Sequence, residues 1–213
     1  MGLPSGTLWA KCNVGATNET DYGLYFAWGE TEGYAIKYVD EDWIIDGEKA
    51  FTWNDYKWTE DGGSTVSKYN LTDDKTVLDA EDDAVVINMG GKWHMPNIEQ
   101  YRELLNTEYV TNEWVENYNG SGINGRLFTS VSNGNTLFIP ATGICEDGDS
   151  YHVNYGGNYC ISHLYTEEEE NIQDAGDFHF ASSGYGLSSC DRCKGRAVRG
   201  VVGQIDATPV LEK

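Results

Sequence analysis

The chain has 213 residues, of which 35 are acidic and 14 are basic, so its formal charge at pH 7 is −21. Such a surface repels phosphate backbones and anionic membranes, which argues against a nucleic-acid partner. The length suits one domain, and 7 Trp, 14 Tyr and 25 Gly indicate a loop-rich domain with strands. No apolar run reaches membrane-spanning length and no basic-then-apolar leader opens the chain, so we expect neither membrane insertion nor an export signal within these residues.

The first third of the chain alternates short apolar segments with long polar ones. Segments 8–10 and 24–28 are apolar and bounded by polar and glycine residues, which predicts two strands joined by a loop. Residues 29–75 are polar, aromatic and irregular. They predict long packed loops around three tryptophans, Trp43, Trp53 and Trp58.

Two helices are predicted in the middle of the chain. The first covers residues 76–88, whose composition is helical, and stops at Gly90-Gly91. The second begins at Asn97, an N-cap with Gln100 three residues later in capping-box spacing, and ends near Thr107. Its predicted buried stripe is Ile98, Tyr101, Leu104 and Leu105.

The rest of the chain has the pattern of short strands. Segments 126–130 and 136–140 flank Asn133-Gly134, a strong signal for a two-stranded hairpin. The complete layout is therefore α+β, with two helices, short antiparallel strands and long loops. We expect a single domain at 1–202 and a C-terminal tail or linker at 203–213. Further strands are predicted at 151–155, 159–162, 177–181 and 197–202.

Seven short motifs are distributed along the chain. They are Leu3-Pro4-Ser5-Gly6-Thr7-Leu8-Trp9-Ala10, Cys12-Asn13-Val14-Gly15-Ala16, Asp21-Tyr22-Gly23, Tyr25-Phe26-Ala27-Trp28-Gly29-Glu30, Asp82-Asp83-Ala84, Gly91-Lys92-Trp93-His94-Met95-Pro96 and Gly195 to Arg199. These motifs resemble the Fibrobacter-type major paralogous domain of gut bacteria and their phages. The resemblance covers nearly the whole chain from Leu3 to Val201 and is most specific in the first thirty residues and around Trp93 to Pro96.

This resemblance implies a C-type-lectin-like fold. The family looks like a branch of that fold, which formylglycine-generating enzymes also have. Similar domains are the variable proteins of diversity-generating retroelements, in which template adenines are miscopied and selected codons change. The chain then resembles either an actively diversified binding protein or an ordinary paralogue. Residues permitted by such miscopying stand where the family usually has Trp, Ser or Tyr, at Cys160, Ile161, His163, Gly176, Asp177, Cys190 and Cys193.

The segment from about Gly156 to Val201 combines a regular scaffold with side chains that form no recognisable catalytic set. We therefore predict a non-enzymatic, receptor-binding or adhesin-type domain with a variable surface and no cofactor. Its expected partner is an unidentified cell-surface protein or glycan, and its expected location is extracellular, on a cell surface or on a phage virion. The candidate ligand-binding residues are Tyr155, Asn158, Tyr159, Ile161, His163, Asp177, His179, Tyr185, Ser188, Ser189, Asp191 and Cys193.

Two other functions remain open at this point. Cys160-x-x-His163 and Cys190-x-x-Cys193 could give a zinc ion four ligands, in a metal-dependent enzyme of the formylglycine-generating type. A disulfide between Cys190 and Cys193 is the competing interpretation of the second pair. The remaining possibility is a purely structural domain of a surface protein.

Overall fold

The computed structural model describes residues 1–63, 65–70, 72–165 and 172–203 and shows a mixed α and β protein in which strands predominate. The predicted tail beyond Gly203 lies outside the described residues. None of the helices in these ranges has the length and apolar character needed to cross a bilayer.

The described residues form fourteen strands and two α-helices, with short 3₁₀ helices at Trp53–Asp55 and Tyr118–Gly120. The helices are α1 (Ala84–Met89) and α2 (Ile98–Leu105). The strands are β1 (Leu8–Asn13), β2 (Tyr25–Phe26), β3 (Ala35–Val39), β4 (Asp42–Asp46), β5 (Val110–Val115), β6 (Gly125–Ser130), β7 (Thr136–Pro140), β8 (Ile144–Glu146), β9 (Asp149–Tyr151), β10 (Gly156–Leu164), β11 (Asp174–Ala181), β12 (Gly184–Asp191), β13 (Arg196–Ala197) and β14 (Arg199–Val202).

The strands form four sheets. The largest has five strands in the order β12-β11-β10-β13-β2, in which β10 and β13 are parallel and the other neighbours antiparallel. A three-stranded sheet β5-β6-β7 contains the predicted hairpin at Asn133-Gly134, and a four-stranded sheet has the order β3-β4-β9-β8. Strands β1 and β14 pair with each other, so the two ends of the described fold lie side by side.

Helix α2 confirms the predicted capping box. The Asn97 side chain accepts from the Gln100 amide, and the Gln100 side chain accepts from the Asn97 amide. Tyr101 and Leu104 are fully buried, as the predicted stripe requires. They pack with residues of β6, β7, β10 and β11 in the largest apolar cluster, which joins α2 to the five-stranded and three-stranded sheets.

Helix α1 is shorter than predicted, because it begins at Ala84 rather than near residue 76. Asp83 caps it by accepting from the amides of Val85 and Val86. The preceding residues are held away from helical geometry by tertiary contacts: the Leu78 amide donates to the Ser162 carbonyl. The predicted strand at 151–155 is also corrected, because β9 ends at Tyr151 and a turn follows.

Two buried arginines, Arg192 and Arg199, hold segments from distant parts of the chain. Both guanidinium groups donate to backbone carbonyls, and Arg192 also lies 4.7 Å from the centre of the Trp28 ring. These bonds satisfy carbonyls that would otherwise be buried without donors. The acceptors are Lys68, Tyr69 and Ile172 for Arg192, and Ala10, Lys11 and Phe138 for Arg199.

Candidate ligand-binding site

The predicted binding residues are distributed over both faces of strands β10, β11 and β12. In the observed register Asn158 is paired with His179, and His179 with Gly186. Because paired residues and every second residue point to the same side of a sheet, one face can be read directly from this register. That face, called the polar face below, carries Asn158, Cys160, Asp177, His179, Gly186 and Ser188.

The opposite face belongs to the protein core. Tyr159 and Ile161 are buried there with the phenylalanines of β11. The Tyr159 hydroxyl donates to the Pro140 carbonyl and accepts from the Asn13 side chain, so its polar atom is also satisfied internally. This corrects the prediction that Tyr159 and Ile161 contact a ligand, since neither side chain reaches the surface.

Asp177 is the centre of a polar network on the polar face. One carboxylate oxygen accepts from Asn158 Nδ2 at 3.1 Å and lies 3.7 Å from His179 Nδ1. The other oxygen lies 3.7 Å from Nη1 of Arg196 on β13. Asp177 is 2% exposed, so the prediction that it contacts a ligand is corrected: it orients Asn158 and His179, which are less buried.

The Asp177–Arg196 pair is buried with few other partners. Arg196 is 0% exposed, and its Nη1 donates to the Gly176 carbonyl at 3.3 Å. Its Nε and Nη2, and Oδ1 of Asp177, have no hydrogen-bond partner among the described residues. Each charge is therefore compensated mainly by the other, which makes the fold sensitive to the loss of either one.

The imidazole of His179 is held through Nδ1, and among the described residues no hydrogen bond to Nε2 is found. Nδ1 lies 3.0 Å from Ser188 Oγ and faces Asp177 as well. The ring lies over Gly186, where an added Cβ would be 3.2 Å from Cε1 and Nε2. The interaction with Asp177 raises the pKa of His179, and partial burial opposes that rise.

This arrangement differs from a nucleophilic triad in one respect. A triad places the serine on one imidazole nitrogen, which takes its proton, and the carboxylate on the other, where it orients the ring and stabilises the imidazolium. Here Ser188 and Asp177 both face Nδ1. The contacts of Ser188 and Asp177 therefore lack the geometry of a triad, and both orient the imidazole through Nδ1.

At its open end the polar face forms a groove beside the β11–β12 turn, called the hairpin groove below. It has a volume of about 540 Å³. Four of the predicted binding residues line it, and Tyr155 is 76% exposed. The complete lining is His152, Tyr155, Gly156, Asn158, His179, Phe180, Ala181, Ser183, Gly184 and Tyr185.

The turn that presents Tyr155 is anchored to the rest of the protein. The amides of Tyr155 and Gly156 both donate to the His152 carbonyl. Asn154 has a positive φ of 68°, and its side chain accepts from the Asn124 amide at 2.6 Å. Tyr155 thus projects from a backbone with defined hydrogen bonds, which lowers the entropy lost when it contacts a ligand.

Eight of the twelve predicted binding residues lie outside the lining of the hairpin groove, and besides Tyr159, Ile161, Asp177 and Ser188 these include four that are engaged elsewhere. His163 pairs with Ser162 through Nδ1, and burial lowers its pKa. Ser189 donates to Asp174, and Asp191 lies 3.4 Å from Lys194. Cys193 is buried in an apolar cluster. Ser188 reaches the groove only indirectly, by contacting His179.

The predicted zinc ligands do not converge. Cys160 and Cys193 belong to different apolar clusters, and burial raises the pKa of Cys160 to about 11 and that of Cys193 to about 12. Among the described residues, the ligand atoms of the four predicted side chains do not come close enough together to share one ion. The proposed set of Cys160, His163, Cys190 and Cys193 is thereby corrected, and Cys190 and Cys193 are free thiols rather than a disulfide.

Within the described ranges, one other group could offer three oxygen ligands to a cation: Asp79, Glu81 and Asp82. Lys68 already occupies this group, with Nζ 2.8 Å from Asp79 and 2.5 Å from Asp82. Lys57 adds a second ammonium 3.1 Å from Asp82. The local charge is therefore balanced by lysines, and the group reads as a structural ion-pair network.

Sequence reasoning missed three contributors to the site: His152, Ser183 and Arg126. Arg126 lies under the groove, where its guanidinium is 4.7 Å from the centre of the Tyr185 ring. The sequence contained a signal for Arg126, because alternate residues of a strand point to the same face and Arg126 alternates with the buried Phe128 and Ser130 on β6. His152 and Ser183 lie in turns, and turn residues show no periodic sequence pattern from which their contacts could be predicted.

Comparison with known proteins adds nothing to this geometry. No protein-family model matches the chain, and no curated protein or solved structure is significantly similar to it.

Proposed function

We propose that the chain is a non-enzymatic ligand-binding domain of the receptor-binding or adhesin type, and that the hairpin groove is its binding site. One observation supports this above all: apart from Phe180, which belongs to both sets, the residues that line the groove are distinct from those that build the core on the same three strands. Asn158 and His179 face the groove, whereas the intervening Tyr159 and Phe178 are buried. Substitutions in the groove can therefore change affinity at little cost to the fold.

The proposed fold is C-type-lectin-like, and the proposed family is the Fibrobacter-type major paralogous domain. The motifs quoted from the sequence support this assignment, as does the mixture of two helices with small, mainly antiparallel sheets. An extracellular, cell-surface or virion location follows from the same resemblance. The proposed partner is a cell-surface glycan or protein.

Active diversification is the weaker part of this proposal. Five of the seven positions predicted to vary are buried, namely Cys160, Ile161, Gly176, Asp177 and Cys193. Random replacement of buried residues creates cavities or overpacking and destabilises the fold. If the chain is diversified, we expect the changes at groove positions such as Tyr155 and Asn158.

Binding can be tested by screening immobilised glycans and surface proteins with the labelled domain. Tyr155→Ala should weaken binding to a captured ligand by about tenfold or more, because exposed aromatic anchors carry much of the binding energy. Tyr38→Ala is the matched control, since Tyr38 is 60% exposed on the β3–β4 hairpin and lies outside the groove. The proposed site would be contradicted if both variants lost the same amount of affinity, or if neither substitution changed the affinity for the captured ligand.

A further inference from the structure

A buried cation lies beneath the hairpin groove without a carboxylate partner. Arg126 is 5% exposed, and its Nη2 donates to the carbonyls of Ala181 at 2.9 Å and Gly184 at 3.2 Å, two residues that line the groove. Nη1 donates to the neutral side chain of Asn112. Within the described part of the chain, Nε has no hydrogen-bond partner and the guanidinium forms no ion pair.

The groove itself contains no acidic side chain, although the chain carries a charge of −21. Asp177 is the carboxylate of the polar network beside the groove, and its negative charge is compensated by Arg196. Arg126 lies behind the Ala181 and Gly184 backbone rather than in the lining, so it contributes a positive potential to the groove without contacting its contents, and protonation of His179 adds to that potential. A single anionic group on a ligand would be attracted to this groove, whereas the net negative charge of the protein repels it on average elsewhere.

We propose that the hairpin groove binds an acidic sugar residue, with its carboxylate beside His179 in the positive potential of the buried Arg126 and its hydroxyls on Asn158 and Ser183. This inference rests on the proposed function. Asn158 uses Nδ2 to bind Asp177, which leaves its Oδ1 as an acceptor for a hydroxyl. The exposed ring of Tyr155 offers an apolar surface to the sugar ring.

The charge of His179 makes this binding depend on pH. The groups that face its ring are Asp177 on its own strand, Asn158 on β10, and Ser188 and Gly186 on β12, while Arg196 acts through Asp177. Asp177 raises the pKa of His179 above its ordinary value. Affinity for a carboxylate is therefore highest below that raised pKa and falls as pH rises through it.

The test compares methyl glucuronide with methyl glucoside, which differ only in a carboxylate against a hydroxymethyl group. Dissociation constants for the whole chain would be measured by NMR titration at about pH 5.5 and about pH 8, on either side of the ordinary histidine pKa. The glucuronide should bind about tenfold more tightly at the lower pH, and its advantage should shrink several-fold at the higher pH. Added salt should reduce the same advantage.

Two variants locate the effect. His179→Gln should bind the glucuronide with less pH dependence than the parent, although His152 remains in the lining, whereas His163→Gln, which alters a histidine outside the groove, should behave like the parent. Equal affinity for both sugars, a preference that ignores pH, or tighter binding of N-acetylglutamate would overturn the acidic-sugar assignment. A neutral glycan or a peptide captured through Tyr155 would leave the proposed binding function intact while refuting this ligand class.

Discussion

The buried Asp177–Arg196 pair gives the sharpest test of how the polar face is built. At an effective dielectric constant of about 20, unit charges separated by the observed 3.7 Å attract each other by roughly 4–5 kcal/mol. Asp177→Asn removes this attraction but leaves the guanidinium buried and desolvated. We therefore expect it to lower the free energy of unfolding by about 3–5 kcal/mol.

The assay is urea denaturation of the single variants Asp177→Asn and Arg196→Met and of the double variant. Removing both charges leaves no unpaired ion, so the double variant should cost clearly less than the sum of the two single changes. The reasoning fails if Asp177→Asn costs less than about 1 kcal/mol, or if the two effects add. Either result would mean that solvent, rather than Asp177, compensates Arg196.

Three further predictions concern the scaffold and are tested by denaturation or chemical labelling. Gly143→Ala should lower the free energy of unfolding by at least about 2 kcal/mol, because Gly143 has a φ of 66° and an added Cβ would collide with the Tyr151 carbonyl. Gly134→Ala is the control, since Gly134 has a φ of 73° but open space around it, and it should cost about 1 kcal/mol. Similar losses in the two variants would refute the steric argument. Asp83→Ala should cost about 1–3 kcal/mol, since its carboxylate caps α1 and accepts from the Met95 amide, and a loss below about 0.5 kcal/mol would show that the cap is dispensable. An alkylating reagent at about pH 8 should modify the partly exposed Cys12 well before Cys160, whose pKa burial raises to about 11, and early modification of Cys160 would contradict its burial.

Features specified by a few neighbouring residues were predictable from the sequence. The capping box at Asn97 and the hairpin at Asn133-Gly134 were both confirmed. The β3–β4 hairpin was missed, because its turn residues Asp40 and Glu41 adopt positive φ angles of 52° and 72° without the glycine or asparagine that normally announces them. The late start of α1 was missed because distant contacts, rather than propensity, keep residues 76–82 out of a helix.

The candidate site was predicted only in outline. Alternation in a strand identifies two faces but not which of them is covered, and β10 is buried on both faces at Tyr159, Cys160 and Ile161. A sequence cannot show that the polar face is closed by Arg196 at one end and open beside Gly184 at the other. Tyr155, Asn158, His179 and Tyr185 line the groove together, and their binding of a ligand stays a prediction. The roles of Asp177 and Arg126 depend on contacts between distant strands.

The arginines that hold distant carbonyls have a consequence for folding during synthesis. Arg192 and Arg199 leave the ribosome after the loops they bind, because their acceptors include Lys68, Ala10 and Phe138. Until then those carbonyls must be solvated by water, and the aromatic loops around Trp28 lack the cation that stacks on them. The N-terminal strand and the aromatic loops are therefore closed only by residues made near the end of synthesis, and contacts of such long sequence separation favour slow folding.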